Sequence, residues 1–186
     1  MKASYLKRIA TTVSVATTLV SCPTAASAAT DMFLKLGNTK GESQDAKHKG
    51  EIDVLAWSWG ESNNAARVRR NGSAAPDCIQ DLSLTKFVDR ASPDIIMDAI
   101  LGSNISEAIL TMRRSGEGQQ EYLILKLSDV SVSSYSTGGS GGEDRLTENV
   151  SLHFLRMEGT YKQQQPDGSL GAPIVWVITG PGGRCQ

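Results

Sequence analysis

Leu123-Ile124-Leu125-Lys126-Leu127-Ser128-Asp129-Val130-Ser131-Val132 changes sides partway along its length. Successive side chains of an extended chain point to opposite faces, so Leu123, Leu125 and Leu127 share one face. Val130 and Val132 fall on the other. A switch of apolar parity predicts a bulge or a break, since side-chain period fixes which face is buried. The next apolar segment repeats the behaviour. Val150, Leu152 and Phe154 share a face, and then Leu155 and Met157 take over on the opposite one. Two such switches suit a strongly curved sheet, such as a small barrel, where bulges supply the bending.

Outward from this pair, most of the chain reads as strand. Met32 to Leu36 and Ala108 to Arg113 are apolar strand segments. Ile52 to Trp59 alternates, with Ile52 and Val54 on one face and Leu55, Trp57 and Trp59 on the other. Two tryptophans at this spacing could form a carbohydrate platform, but a leucine beside both favours packing. Leu82, Leu84 and Val88 mark a further strand with Phe87 on its opposite face. Ser115-Gly116-Glu117-Gly118 and Pro166-Asp167-Gly168 are turns, and Ile174 to Ile178 is a nearly all-apolar final strand before a tail from Gly180. One helix is predicted. Ser92 is its expected N-cap, Pro93 its first position, Asp94 complements the dipole, and Gly102 stops it. Ile96, Met97, Ile100 and Leu101 stand at helical spacing and are its expected apolar face. Composition agrees, with 18 glycines and only three phenylalanines among 186 residues. The expected fold is mainly β: a small antiparallel β-barrel of two curved sheets with one flanking α-helix.

Residues 1–28 do not read as fold. Lys2, Lys7 and Arg8 precede a short apolar stretch, Ile9 to Val20, and Ala26-Ser27-Ala28 has the A-x-A form of a cleavage site. The expected domains are therefore a signal peptide over 1–28, cleaved after Ala28, and a β-barrel domain over 29–186. Two alternatives stand beside it: translation from Met32, and a lipidated Cys22 in Leu19-Val20-Ser21-Cys22, which would tether the chain to a membrane. Beyond residue 28 the chain carries 16 basic and 20 acidic residues, a net charge of −4. That balance argues against nonspecific binding to nucleic acid or an anionic membrane. Cys78 and Cys185 remain, and in an oxidising compartment they are a candidate disulfide pair.

Little in the sequence suggests catalysis, a metal or a cofactor. Gly138-Gly139-Ser140-Gly141-Gly142 matches G-x-S-x-G, but the residues after it alternate like a strand, and the nucleophile elbow needs a helix there. His48 and His153 are the only histidines. They have no triad or zinc spacing with the cysteines. Glu143-Asp144 sits in a glycine-rich loop with nothing apolar to raise a pKa. Gly37 to Gly50 is polar and aperiodic, a long exposed loop of a length that usually has a function. Ala65 to Pro76, with Arg67, Arg69 and Arg70 before Asn71-Gly72, reads as a second solvated loop.

Several ordered segments resemble one family. Met32-Phe33-Leu34-Lys35-Leu36, Gly41-Glu42-Ser43-Gln44-Asp45, His48 to Val54 and Trp57-Ser58-Trp59-Gly60 are similar to the opening of Hcp, the haemolysin-coregulated protein of the bacterial type VI secretion system. Asp81 to Lys86, Ser133 to Gly141 and Leu146 to Leu152 continue the resemblance to about Ile178. It implies a small barrel with one helix, a homo-oligomer of hexameric rings stacked into a tube, and no catalytic residues. It also implies a contractile sheath, a VgrG spike and effector proteins as partners. The loop holding Gln44, Asp45, Lys47 and His48 would then be the one through which stacked rings touch. A cleavable leader departs from the family pattern, in which the tube assembles in the cytoplasm. The remaining alternative is an exported Hcp-like β-domain that binds a partner without forming tubes.

Overall fold

The computed structural model describes residues 29–62, 78–115, 118–142 and 144–179. The order of elements is β1 (Thr30–Leu36), β2 (Ile52–Ser58), β3 (Glu61–Ser62), β4 (Cys78–Ile79), β5 (Leu82–Phe87), α1 (Ser92–Leu101), β6 (Ile105–Arg114), β7 (Glu121–Gly138), β8 (Thr147–Gln164) and β9 (Leu170–Thr179). A seven-stranded antiparallel sheet runs β5-β2-β1-β6-β7-β8-β9, and β3 and β4 form a separate two-stranded ribbon. A further pairing of β5 with β8 closes six of the seven strands into a barrel. The expected barrel and single helix are found. The Ala65–Pro76 loop and its arginines lie outside the described residues.

β8 explains the closure. Its first part, Thr147 to Leu152, pairs with β5, and its later part, Arg156 to Gln164, pairs with β9. β8 changes partner where its apolar parity changes, around exposed Leu155. β7 turns over opposite the same point: Leu127 pairs Met157 and Val130 pairs Phe154, and all four are buried. The pairing stays in step across the switch, and the nearest register shift falls later, between Val132 and Ser134. The two parity changes therefore form one joint across a strand pair. Asp129, in that joint, has φ +54°.

The barrel interior is filled from every wall, as in the row Leu34, Leu110 and Leu125 on neighbouring strands. That row continues to buried Gly159, where an added Cβ would lie 2.1 Å from the Trp176 ring of β9. Only glycine leaves room for the indole.

The helix differs from expectation at two points. Its N-cap is Ala91, and Ser92 is the first helical residue. The Asp89 carboxylate accepts from the Ala91 N–H at 2.9 Å, and the Ser92 hydroxyl accepts from the Asp89 N–H at 3.0 Å. These two bonds fix the turn that leads into the helix, whose first-turn amides take no side-chain cap. Ile95 is the core-facing residue, together with Ala91, while Met97, Ile100 and Leu101 are 50%, 72% and 69% exposed. Gly102 ends the helix as expected, at φ +63°.

Candidate functional site: a latched loop and an apolar edge

Gly37 to Gly50 is not a free loop. Its base is pinched by backbone bonds from Gly41 N–H to Gly50 C=O and from Ser43 N–H to Glu51 C=O, at 2.9 and 3.0 Å. A Cβ at Gly41 would come within 2.2 Å of the Glu51 carbonyl, so the pinch requires glycine there. Inside the loop, Asp45 Oδ1 accepts from the Lys47 and His48 N–H groups, at 2.9 and 3.2 Å. This local side-chain-to-backbone turn is typical of aspartate.

The loop then lies over the outer face of β1 and β6. Phe33 has the opposite parity to Leu34 and Leu36, yet is only 5% exposed. The His48 ring stacks on it, with centroids 4.3 Å apart and planes 6° from parallel. The Arg113 guanidinium lies 4.9 Å from the same ring. Arg113 Nη2 donates to Asp45 Oδ2 at 2.7 Å and to Asp31 Oδ2 at 3.0 Å. The Arg113 bond holds the Asp45 carboxyl well below the usual carboxylate range, against the opposing effect of burial. Its two carboxylates, Asp45 first, raise Arg113 in turn. His48 Nδ1 is 2.9 Å from Glu51, and its Nε2 is 3.6 Å from Glu121 on β7.

Of the four loop residues singled out by sequence, Gln44 and Lys47 remain exposed while Asp45 and His48 turn inward. The expectation of a wholly exposed loop is corrected in that respect. The groups that receive the loop, Asp31, Phe33, Arg113 and Glu121, went unnoticed. The signal was present: an aromatic ring and a cation sit at the outward parity of β1 and β6, where neither is needed for the barrel interior.

The second surface is β9. It is last in the sheet order, and Ile174, Val175, Trp176 and Val177 are 59%, 56%, 37% and 50% exposed. Val175 and Val177 leave one apolar face of this strand open, and Ile174 adds to it from the other, where Trp176 seats its ring on Gly159 and Ile178 packs on the core. An open apolar face is a condition that isolated proteins avoid at a sheet edge.

Among the described residues no nucleophile is assembled. Ser140 is exposed in the β7–β8 connection, and a strand follows it. Ser133 Oγ donates to Asp81 Oδ2, while His153 Nδ1 lies 3.0 Å from Asp81 Oδ1. The carboxylate stands between hydroxyl and imidazole, so the histidine is not placed to take the serine proton. Among the described residues no three His, Cys, Asp or Glu side chains could hold a metal ion together. No described helix is long and apolar enough to cross a membrane. Cys185 and the Cys78 side chain lie outside the described residues, as do residues 1–28.

The architecture is that of a small closed β-barrel with one helix, which leaves an apolar strand edge and an apolar helix face uncovered. The family model described as "Type VI secretion system effector, Hcp" matches residues 33–161. The chain is 50% identical over 149 residues to the protein hcp1 of Pseudomonas aeruginosa, covering 78% of this chain and 92% of that one. Among solved structures, Hcp1 from Salmonella typhimurium superposes with a TM-score of 0.67 at 32% identity, over 81% of this chain and 94% of that one. A type VI secretion system effector from Yersinia pestis gives 0.66 at 30% identity, over 80% and 99%. The chain belongs to the Hcp family, the tube proteins of the type VI secretion system.

Proposed function

We propose that this chain forms hexameric rings that stack head to tail, and that it works by assembly without catalysis. The observation that carries the reading is β9, whose Ile174, Val175 and Val177 stay open after the barrel has closed. A head-to-tail contact closes into a ring when its rotation divides a full turn. The exposed Gln44 and Lys47 of the latched loop are the residues offered to a neighbouring ring. A contractile sheath, a VgrG spike and effectors in the lumen are the partners this role entails.

The test is light scattering with negative-stain microscopy on the chain from Ala29 onward. Rings are expected for the natural sequence. Val175→Lys with Val177→Lys, which charges one face of β9, is expected to give folded monomers by circular dichroism. A natural chain that stays monomeric at every concentration would instead support an exported binding domain. Rings that survive both lysines would remove β9 from the interface.

We further propose that the chain is exported and cleaved after Ala28. Asp31 supports this boundary. It ties down Arg113, and Ala29 C=O already accepts from the Ser115 N–H at 2.8 Å. A chain begun at Met32 would lose both.

A further inference from the structure

We propose that His48 is a proton-operated latch on the 37–50 loop, closing it when the imidazole carries its second proton. This rests on geometry. His48 is 7% exposed, and its Nε2 has no hydrogen-bond partner. In the neutral ring, Nδ1 donates to Glu51, so Nε2 is left as a bare lone pair facing the Glu121 carboxylate at 3.6 Å. Protonation turns that opposed pair into a donor and an acceptor, and the loop is then joined to β7 as well as to itself.

The charged groups around the imidazole come from every element packed on it. From the loop side these are Glu51, Asp45, whose Oδ1 holds the His48 N–H, and the exposed neighbours Lys47 and Lys49. From β7 comes Glu121, from β6 comes Arg113, and β1 contributes the Phe33 ring with Asp31 nearby. Arg113 is the one cation in the stack, and Asp31 and Asp45 both contact it. The two carboxylates within reach of the imidazole nitrogens are the groups that act on it directly.

Histidine is the side chain used for proton-linked switching, and His48 is the histidine of the docked loop. Asp45 is held far below the usual aspartate value, so its bond to Arg113 is in place above about pH 4 and is lost only in strong acid. An imidazole paired with a carboxylate carries the reverse sign. A histidine stabilised as its cation adds stability at low pH and gives it up as the pH rises.

His153, against Asp81, is a second imidazole beside a carboxylate. The experiment therefore uses the full chain from Ala29 with His153→Gln as background, leaving one histidine. Hydrogen exchange of the loop amides of Gly41, Ser43 and Gly50, corrected for the intrinsic rate, is followed from pH 5.5 to 8. Protection is expected to rise on acidification by on the order of tenfold, the scale of a partly buried charged hydrogen bond. The rise should vanish in His48→Gln. Should that variant fail to fold, Glu121→Gln is to reduce the rise severalfold. Protection that does not change with pH in the background chain, or changes equally in the variants, overturns the latch while leaving ring assembly untouched.

Discussion

Lys86 occupies a position where the alternation of β5 asks for an apolar side chain. It shares parity with Leu82 and Leu84 and is buried to 1% exposure. Its Nζ bonds Glu148, Asp89 Oδ1 at 2.8 Å, the Phe87 carbonyl at 2.9 Å and Ser92 Oγ at 3.3 Å. The other Glu148 oxygen accepts from Tyr135 at 2.8 Å. Burial, and then this carboxylate, push the Tyr135 hydroxyl up to about 12, so it remains a donor at any ordinary pH. The network fastens the start of α1 to the barrel wall. Removing one partner strands a buried charge, and Lys86→Met alone is expected to cost about 3–5 kcal/mol in urea unfolding. Pairing it with Glu148→Leu should recover most of that loss, because both charges leave together. A single-variant cost below about 1 kcal/mol would show that the network is not coupled. The parity of Lys86 is that of a buried position, a signal that went unread in the sequence. Nothing local revealed its partners, since Glu148 and Tyr135 are distant in sequence.

At the scale of elements, the strands were readable because they follow simple alternation with turn residues between them. The parity switches in β7 and β8 were readable too, and they predicted curvature. That they form one joint was not visible, because register belongs to a pair of strands and not to either alone. Asp129 bears the backbone cost of that joint with its left-handed conformation. A β-branched residue tolerates this region poorly, so Asp129→Val is expected to cost about 1–2 kcal/mol, while Asp129→Gly stays within a few tenths. Urea midpoints of the two variants check this, and equal values would show that the left-handed geometry is not required. The helix misled for a related reason. Its 3.6-residue spacing is genuine, but spacing shows that an apolar face exists and not what covers it. Met97, Ile100 and Leu101 remain uncovered in the isolated chain.

At the scale of the molecule, the loop of residues 37–50 was recognisable as unusual but not as folded down, because its receptor is spread over β1, β6 and β7. Asp31 joins that receptor to the start of β1, next to the proposed cleavage point. The mass of the protein purified from its own cells tests the proposed cleavage. An N-terminus at Ala29 is expected. Met32, or a lipid-bearing Cys22, would refute it. Should Met32 prove correct, Arg113 would keep Asp45 alone.

β8 gives one stretch to β5 and another to β9. The ring of six strands therefore closes without the seventh, and the strand proposed to meet neighbours lies outside that ring. Under the proposed assembly a subunit would finish its barrel while still single and meet its neighbours afterwards. Faults in the two steps would then arise separately, so a lesion at Val175 or Val177 should leave sound but unemployed barrels, whereas one at Trp176 or Ile178 also touches the packing beneath.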